Sequence, residues 1–279
     1  MGQRLLITGG TGYLGSELVR QAPAQGWDVV ATRFSQRPAD TAVRYVPLDI
    51  RDEQAVGRAF ASLRPAAVIH TAFRQGGPDL WVTTVDGTAI VARAAQRASA
   101  RLIHLSSDAL FDGERQGAYT EQDAPRPITP YGEAKAAAER AVAEFCPRAL
   151  IARTSLIYGG AEPGIHERLI LDAIDGRAEV AFFTDELRCP TQVGDLAAAL
   201  LELVPSDLAG ILHLAGADTV SRYQFARMVA TAHGRAAERL RAGLSAESGL
   251  RRPRNCALDC GRARSLLQTR LRGVCEVLK

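Results

Sequence analysis

The sequence predicts an α/β protein, a doubly wound parallel sheet followed by a smaller C-terminal α/β lobe. Two observations carry that reading. Short apolar runs alternate with amphipathic, Ala-rich helical segments through the N-terminal half. The first of these runs, Leu5-Leu6-Ile7, leads directly into the turn Thr8-Gly-Gly-Thr-Gly-Tyr-Leu-Gly15. At 279 residues the chain is long enough for one large core and a small lobe.

The first strand is expected over Leu5–Thr8, and the helix after the glycines carries the apolar stripe Leu14, Leu18 and Val19. Strand, glycine turn, helix is the context a dinucleotide fingerprint needs. Gly9 allows the tight turn, Gly12 lets the backbone approach a pyrophosphate, and Gly15 lets helix and strand pack closely. The helix N-terminus then faces the negative charge. Gly9, Thr11, Gly12, Tyr13, Leu14 and Gly15 are therefore the candidates to hold a dinucleotide, and the sheet is expected to be of Rossmann type. Gly10-Thr-Gly12-Tyr-Leu-Gly15 also fits G-x-G-x-x-G, so spacing alone does not choose the subclass.

The second strand, Asp28–Thr32, should end at the residue that reads the adenosine ribose. No acid stands there. Arg33 does, with Ser35 and Arg37 close behind, and a cation suits the 2′-phosphate of NADP. The expected cofactor is NADPH, with NADH as the alternative. A third strand, Val43–Leu48, places Asp49 and Ile50 at the adenine. A fourth, Ala66–His70, places Thr71 and Ala72 along the phosphates and ribose.

After a helix over Ile90–Ala98, the fifth strand, Arg101–Ser106, ends in Ser106-Ser107-Asp108. A Ser at a strand C-terminus could donate to a substrate carbonyl as charge develops. The same residues could equally be a turn that satisfies backbone groups. Next comes a helix through Phe145, with Thr129 as N-cap and Pro130 at the first helical position. It sets Tyr131 and Lys135 one turn apart on one face. A nearby ammonium favours a phenolate, which makes such a tyrosine a proton donor near neutral pH.

The sixth strand is Ala149–Arg153. Beyond it the expected elements are a helix through Ile174, a strand at Val180–Phe183 and a loop over Thr184–Thr191. A helix at Asp195–Val204, a strand at Ile211–Ala215 and a helix at Ser221–His233 complete the set. The expected division is a dinucleotide-binding domain over 1–158 and a substrate lobe over 159–279, with part of the chain free to cross back to the first sheet.

Composition narrows the class. A net charge of +3 gives no reason to expect nucleic acid, and no apolar run reaches the length of a membrane span. The N-terminus enters a strand without room for a signal peptide. Five scattered cysteines, without zinc spacing, read as reduced thiols in a cytoplasmic protein, and no metal site is expected. His70, His104 and His213 read as core or rim histidines. Residues 235–279 carry a net +7, which fits either a diphosphate site or a solvated surface.

The motifs together resemble the extended short-chain dehydrogenase/reductases, and within them most closely the dTDP-4-dehydrorhamnose reductases. Thr8-Gly9-x-x-Gly12-x-x-Gly15, the Ser after the fifth strand and Tyr131-x-x-x-Lys135 match in order and spacing. Leu105-Ser-Ser-Asp-Ala-Leu-Phe-Asp-Gly113 is similar to S-T-D-Y-V-F-D-G, and Arg153-Thr-Ser-Leu-Ile-Tyr158 to R-T-S-W-V-Y. Pro190-Thr191 with Asp195-Leu-Ala197, and Arg252-Pro-Arg-Asn-Cys-Ala-Leu-Asp259, continue the likeness to the end of the chain.

The resemblance implies hydride transfer from NADPH to a ketone, most simply one on a nucleotide-linked 4-keto-6-deoxysugar. It makes Tyr131 the general acid and puts Ser107 where the family has a catalytic Thr. Lys135 would tune Tyr131 and hold the nicotinamide ribose. Phe73, Ser107, Asp108, Ala109, Leu156 and Arg188 fall on the substrate side. Ala109 and Leu156 replace a Tyr and a Trp, so the pocket is altered. The loop Arg74–Asp79 and Thr84 also depart from the pattern. The alternatives are a reductase of a non-sugar ketone, a related epimerase or dehydratase, and a non-catalytic NADP-binding regulatory subunit. A homodimer is expected on family likeness alone.

Overall fold

The computed structural model describes residues 2–36, 38 and 43–279; Arg37 lies outside them. The chain runs β1 (Arg4–Thr8), α1 (Tyr13–Gln21), β2 (Asp28–Arg33), β3 (Arg44–Pro47), α2 (Glu53–Leu63) and β4 (Ala67–His70). A π-helical turn, Val82–Asp86, leads into α3 (Gly87–Arg97), β5 (Arg101–Ser107), α4 (Pro130–Phe145) and β6 (Leu150–Thr154). There follow β7 (Ile157–Tyr158), α5 (Ile165–Ile174), β8 (Ala181–Phe183), β9 (Leu187–Arg188), β10 (Thr191–Gln192) and α6 (Val193–Leu203). The last elements are β11 (Gly210–His213), β12 (Val220–Ser221), α7 (Arg222–Ala232), β13 (Arg241–Gly243), α8 (Gly261–Leu266) and α9 (Val274–Val277).

Seven strands form one sheet in the order β11-β6-β5-β4-β1-β2-β3. This is the doubly wound order, extended by β11. Leu6 stands beside Val30 on one side and Val68 on the other, all in parallel register. Near-continuous apolar runs form β1, β2, β4, β5 and β6 because helices cover both faces. The strand expected around Ile211 returns to this sheet. Gly210 N donates to Ala149 O and Leu214 N to Arg153 O, so β11 runs parallel to β6.

The chain groups into two compact units. The first comprises Met1–Ser106, Pro130–Ala152 and Ala197–Leu212. Its core joins Leu6, Val30, Val68, Leu102 and Ile151 from the strands to Val56, Phe60, Val91 and Val142 from the helices. Each such side chain contributes about 1.5–3 kcal/mol on full burial. The second comprises Ser107–Thr129, Arg153–Leu196 and His213–Lys279. Its core gathers Tyr158, Ile170, Phe182, Phe225, Val229 and Val274, with Tyr158 edge-on to Phe225 at 5.5 Å. The segment expected as a loop, Thr184–Thr191, carries β9 and the start of β10. These two-residue strands pair with β12 and β7, contacts that no local pattern announces.

Candidate active site

The glycine turn is built as its spacing requires. Gly9 has φ +70°, and a Cβ there would meet Ala72 N at 2.9 Å. A Cβ on Gly15 would lie 2.1 Å from Gly9 O, so only glycine lets α1 sit this close to the turn. Gly12 is the N-cap of α1. No side chain caps that terminus and no acid stands in its first turn. A helix N-terminus left in this state presents N–H groups and a positive dipole end to an anion.

A cleft opens at the C-terminal ends of β1, β2 and β4. Gly9, Thr11, Gly12, Asp49, Ile50, Thr71 and Ala72 line it as the sequence anticipates. The Leu14 side chain is buried, so only its backbone can face a ligand. Arg33 closes β2, and no hydrogen bond or ion pair holds its side chain among the described residues. Phe34, Arg51 and Thr32 also line the cleft, and sequence reasoning missed them. Phe34 is 55% exposed, with the Arg51 guanidinium 5.4 Å above its ring. Arg51 binds both oxygens of Asp49, at 3.0 Å and 2.8 Å, and holds that carboxyl below its usual range. A large exposed aromatic directly after a strand was the available signal for Phe34. A Cβ-intolerant turn, an open helix N-terminus and an aromatic shelf beside an acid suit a dinucleotide.

Tyr131 and Lys135 stand in the first turns of α4, and α4 begins at Pro130 as expected. Lys135 is 3% exposed, and its ammonium donates to Leu105 O at 2.7 Å. Burial is the main force on it and draws its pKa down to about 8, against a smaller upward pull from Glu139. Phe73 lies against both members of the pair. Its ring is 5.1 Å from Lys135 Nζ and 5.9 Å from the Tyr131 ring. His70 and His104 stack at 5.4 Å. The first unit thus brings Phe73, Tyr131 and Lys135 together.

The second unit holds Ser107, Asp108, Ala109, Leu156 and Arg188. Ser107 serves the turn. Its Oγ accepts from Ala109 N at 3.2 Å and donates to Asp108 Oδ1 at 3.2 Å. Asp108 is 4% exposed and takes a 2.6 Å bond from Ser155 Oγ. Burial raises its pKa, while Arg188, 3.8 Å away, opposes the rise. Arg188 is buried and donates to the carbonyls of Leu187, Arg254 and Pro253. It therefore braces the Arg252–Asp259 block. Ala109 and Leu156 are both half-buried. The Arg excess near the C-terminus is spread over ion pairs such as Arg254–Glu114, Arg270–Glu276 and Arg272–Asp195. Among the described residues no cluster of His, Cys, Asp and Glu could hold a metal, and no helix is long and apolar enough to cross a membrane.

A doubly wound sheet, a glycine turn at its switch point and a Tyr/Lys pair on the helix after the fifth strand define an extended short-chain dehydrogenase/reductase. The chain belongs to the family described as the RmlD substrate binding domain, whose model matches residues 3–279. It is 33% identical over 248 residues to a dTDP-4-dehydrorhamnose reductase of Mycolicibacterium smegmatis, covering 86% of this chain and 72% of that one. It is 29% identical over 286 residues to methionine adenosyltransferase 2 subunit beta of Bos taurus, covering 95% and 82%. A crystal structure of dTDP-4-dehydrorhamnose reductase from Bacillus anthracis in complex with NADP superposes with a TM-score of 0.85. It has 26% identity and covers 100% of this chain and 98% of that one.

Proposed function

We propose that this chain is an NADPH-dependent reductase acting on the ketone of a nucleotide-linked 4-keto-6-deoxysugar. The observation that carries the reading is the buried Lys135 ammonium, one turn from Tyr131, in the unit that holds the glycine cleft. In this reading the first unit takes the cofactor. A reduced nicotinamide, when bound, supplies the hydride. Tyr131 gives its phenolic proton to the ketone oxygen, so that an alcohol results. Lys135 keeps positive charge beside the phenol as that proton leaves, and its ammonium suits a ribose hydroxyl. Ser107, where the family carries a catalytic Thr, has a hydroxyl that can turn away from Asp108 to act as a donor. Within the second unit Asp108 holds Ser107 and Ser155, and Arg188 holds the backbone of Pro253 and Arg254.

The likeness to an adenosyltransferase subunit favours a second reading, in which the chain binds NADP and a partner enzyme without turnover. One assay separates the two. The full chain is mixed with NADPH and a panel of dTDP-4-keto-6-deoxysugars, and NADPH oxidation is followed by absorbance. The reductase reading expects turnover with at least one sugar and a loss of roughly 10²–10⁴-fold in kcat for Tyr131→Phe. NADPH binding without oxidation of any sugar would instead leave the binding-only reading standing.

A further inference from the structure

Lys135 carries its charge in an apolar place. Three features hold that charge: the Leu105 carbonyl at 2.7 Å, the field of Glu139 further along α4, and the face of the Phe73 ring at 5.1 Å. The other groups around it offer little. His70 on β4 and His104 on β5 are kept neutral by burial. From α3 the Thr88 hydroxyl meets His70 and carries no charge. Phe73 itself is 41% exposed, and its ring also reaches that of Tyr131 at 5.9 Å.

We propose that Phe73 is a positioning residue of the reduction, whose ring face keeps Lys135 protonated and aligned with Tyr131. The proposal rests on the reductase reading for its consequence, but not for its physics. A ring presents its negative quadrupole face to a cation, and the attraction grows as water is excluded. Removing the face while keeping the apolar bulk should therefore favour the neutral amine.

The sequence makes this measurable. Only Lys135 and Lys279 are lysines. Selective lysine labelling of the full chain gives two side-chain NMR signals, and Lys279→Arg assigns them. In Phe73→Leu the Lys135 titration midpoint should fall by about half a pH unit to one and a half. In Phe73→Trp it should hold or rise. The basic limb of the kcat/KM profile should move with the midpoint in both variants. An unchanged midpoint in Phe73→Leu, or a Trp variant that behaves like the Leu variant, would overturn the proposal. The NMR measurement needs no substrate. If the midpoint shifts but no keto sugar is reduced, the reductase reading fails and the Phe73–Lys135 coupling stands.

Discussion

At the scale of single residues, two buried charges are held in different ways. Lys135 is one of only two lysines among 34 basic residues. An arginine could not replace it, because a guanidinium does not release its proton in the range where an ammonium can be tuned. Asp108 shows the opposite management. Ser107, Ser155 and Arg188 all direct donors at its carboxyl. Asp108→Leu would leave two hydroxyls and a buried guanidinium facing an apolar group, at a cost of about 3 kcal/mol. Asp108→Asn keeps an acceptor and should cost less than half of that. Urea unfolding of the two variants checks the order. A Leu variant as stable as the wild type would mean that Asp108 organises nothing.

At the scale of elements, the glycines make the sharpest claim. Gly15→Ala and Gly57→Ala are the same change on two consecutive helices of the chain, and they should have opposite signs. Alanine is the better helix former by about 1 kcal/mol, so propensity favours both. At Gly57 in α2 a Cβ meets nothing within 4 Å, and the gain should appear as about 0.5–1 kcal/mol of added stability. At Gly15 the Cβ would strike Gly9 O, and the overlap should win by about 1–3 kcal/mol and lower NADPH affinity as well. Thermal unfolding with and without NADPH reads both effects. The glycine turn was legible in the sequence because its spacing reports backbone geometry directly. Strands β1, β2, β4, β5 and β6 were legible because both their faces are covered. The π-helical turn was not, since Thr84 holds it by bonding to the Arg74 backbone ten residues earlier. Phe34 and Arg51 escaped notice for a related reason. Their roles rest on a ring and an ion pair that meet only once β2 and β3 lie side by side. Two of the three carbonyls that Arg188 binds belong to Pro253 and Arg254, more than sixty residues away, which no local pattern announces.

At the scale of the whole molecule, stability should be strongly pH-dependent, and histidine should be the reason. His70 and His104 are each 1% exposed. His70 is tied to Thr8 Oγ1 at 2.6 Å and to Thr88 Oγ1 at 3.0 Å. Burial, reinforced by Lys135, lowers its pKa to about 3. His104 is lowered well below its usual 6.5 by burial, Lys135 and His70 together. Below about pH 6.5 the unfolded chain therefore binds protons that the native chain refuses. Linkage then makes native stability fall as pH falls. The stability is fully present above 6.5 and is lost progressively toward the native values. At pH 5 each such histidine should subtract about 2 kcal/mol, a large share of a stability of about 5–15 kcal/mol. The loss begins above the range where carboxylates titrate, which marks it as histidine's own. No partner meets either ring nitrogen of His104 among the described residues, so His104→Phe keeps the stack on His70 and gives up no hydrogen bond. That variant should match or exceed the wild type at pH 7 and exceed it by about 2 kcal/mol at pH 5. Urea unfolding at the two pH values decides the matter, because a variant that loses as much stability as the wild type between them would clear His104 as the source.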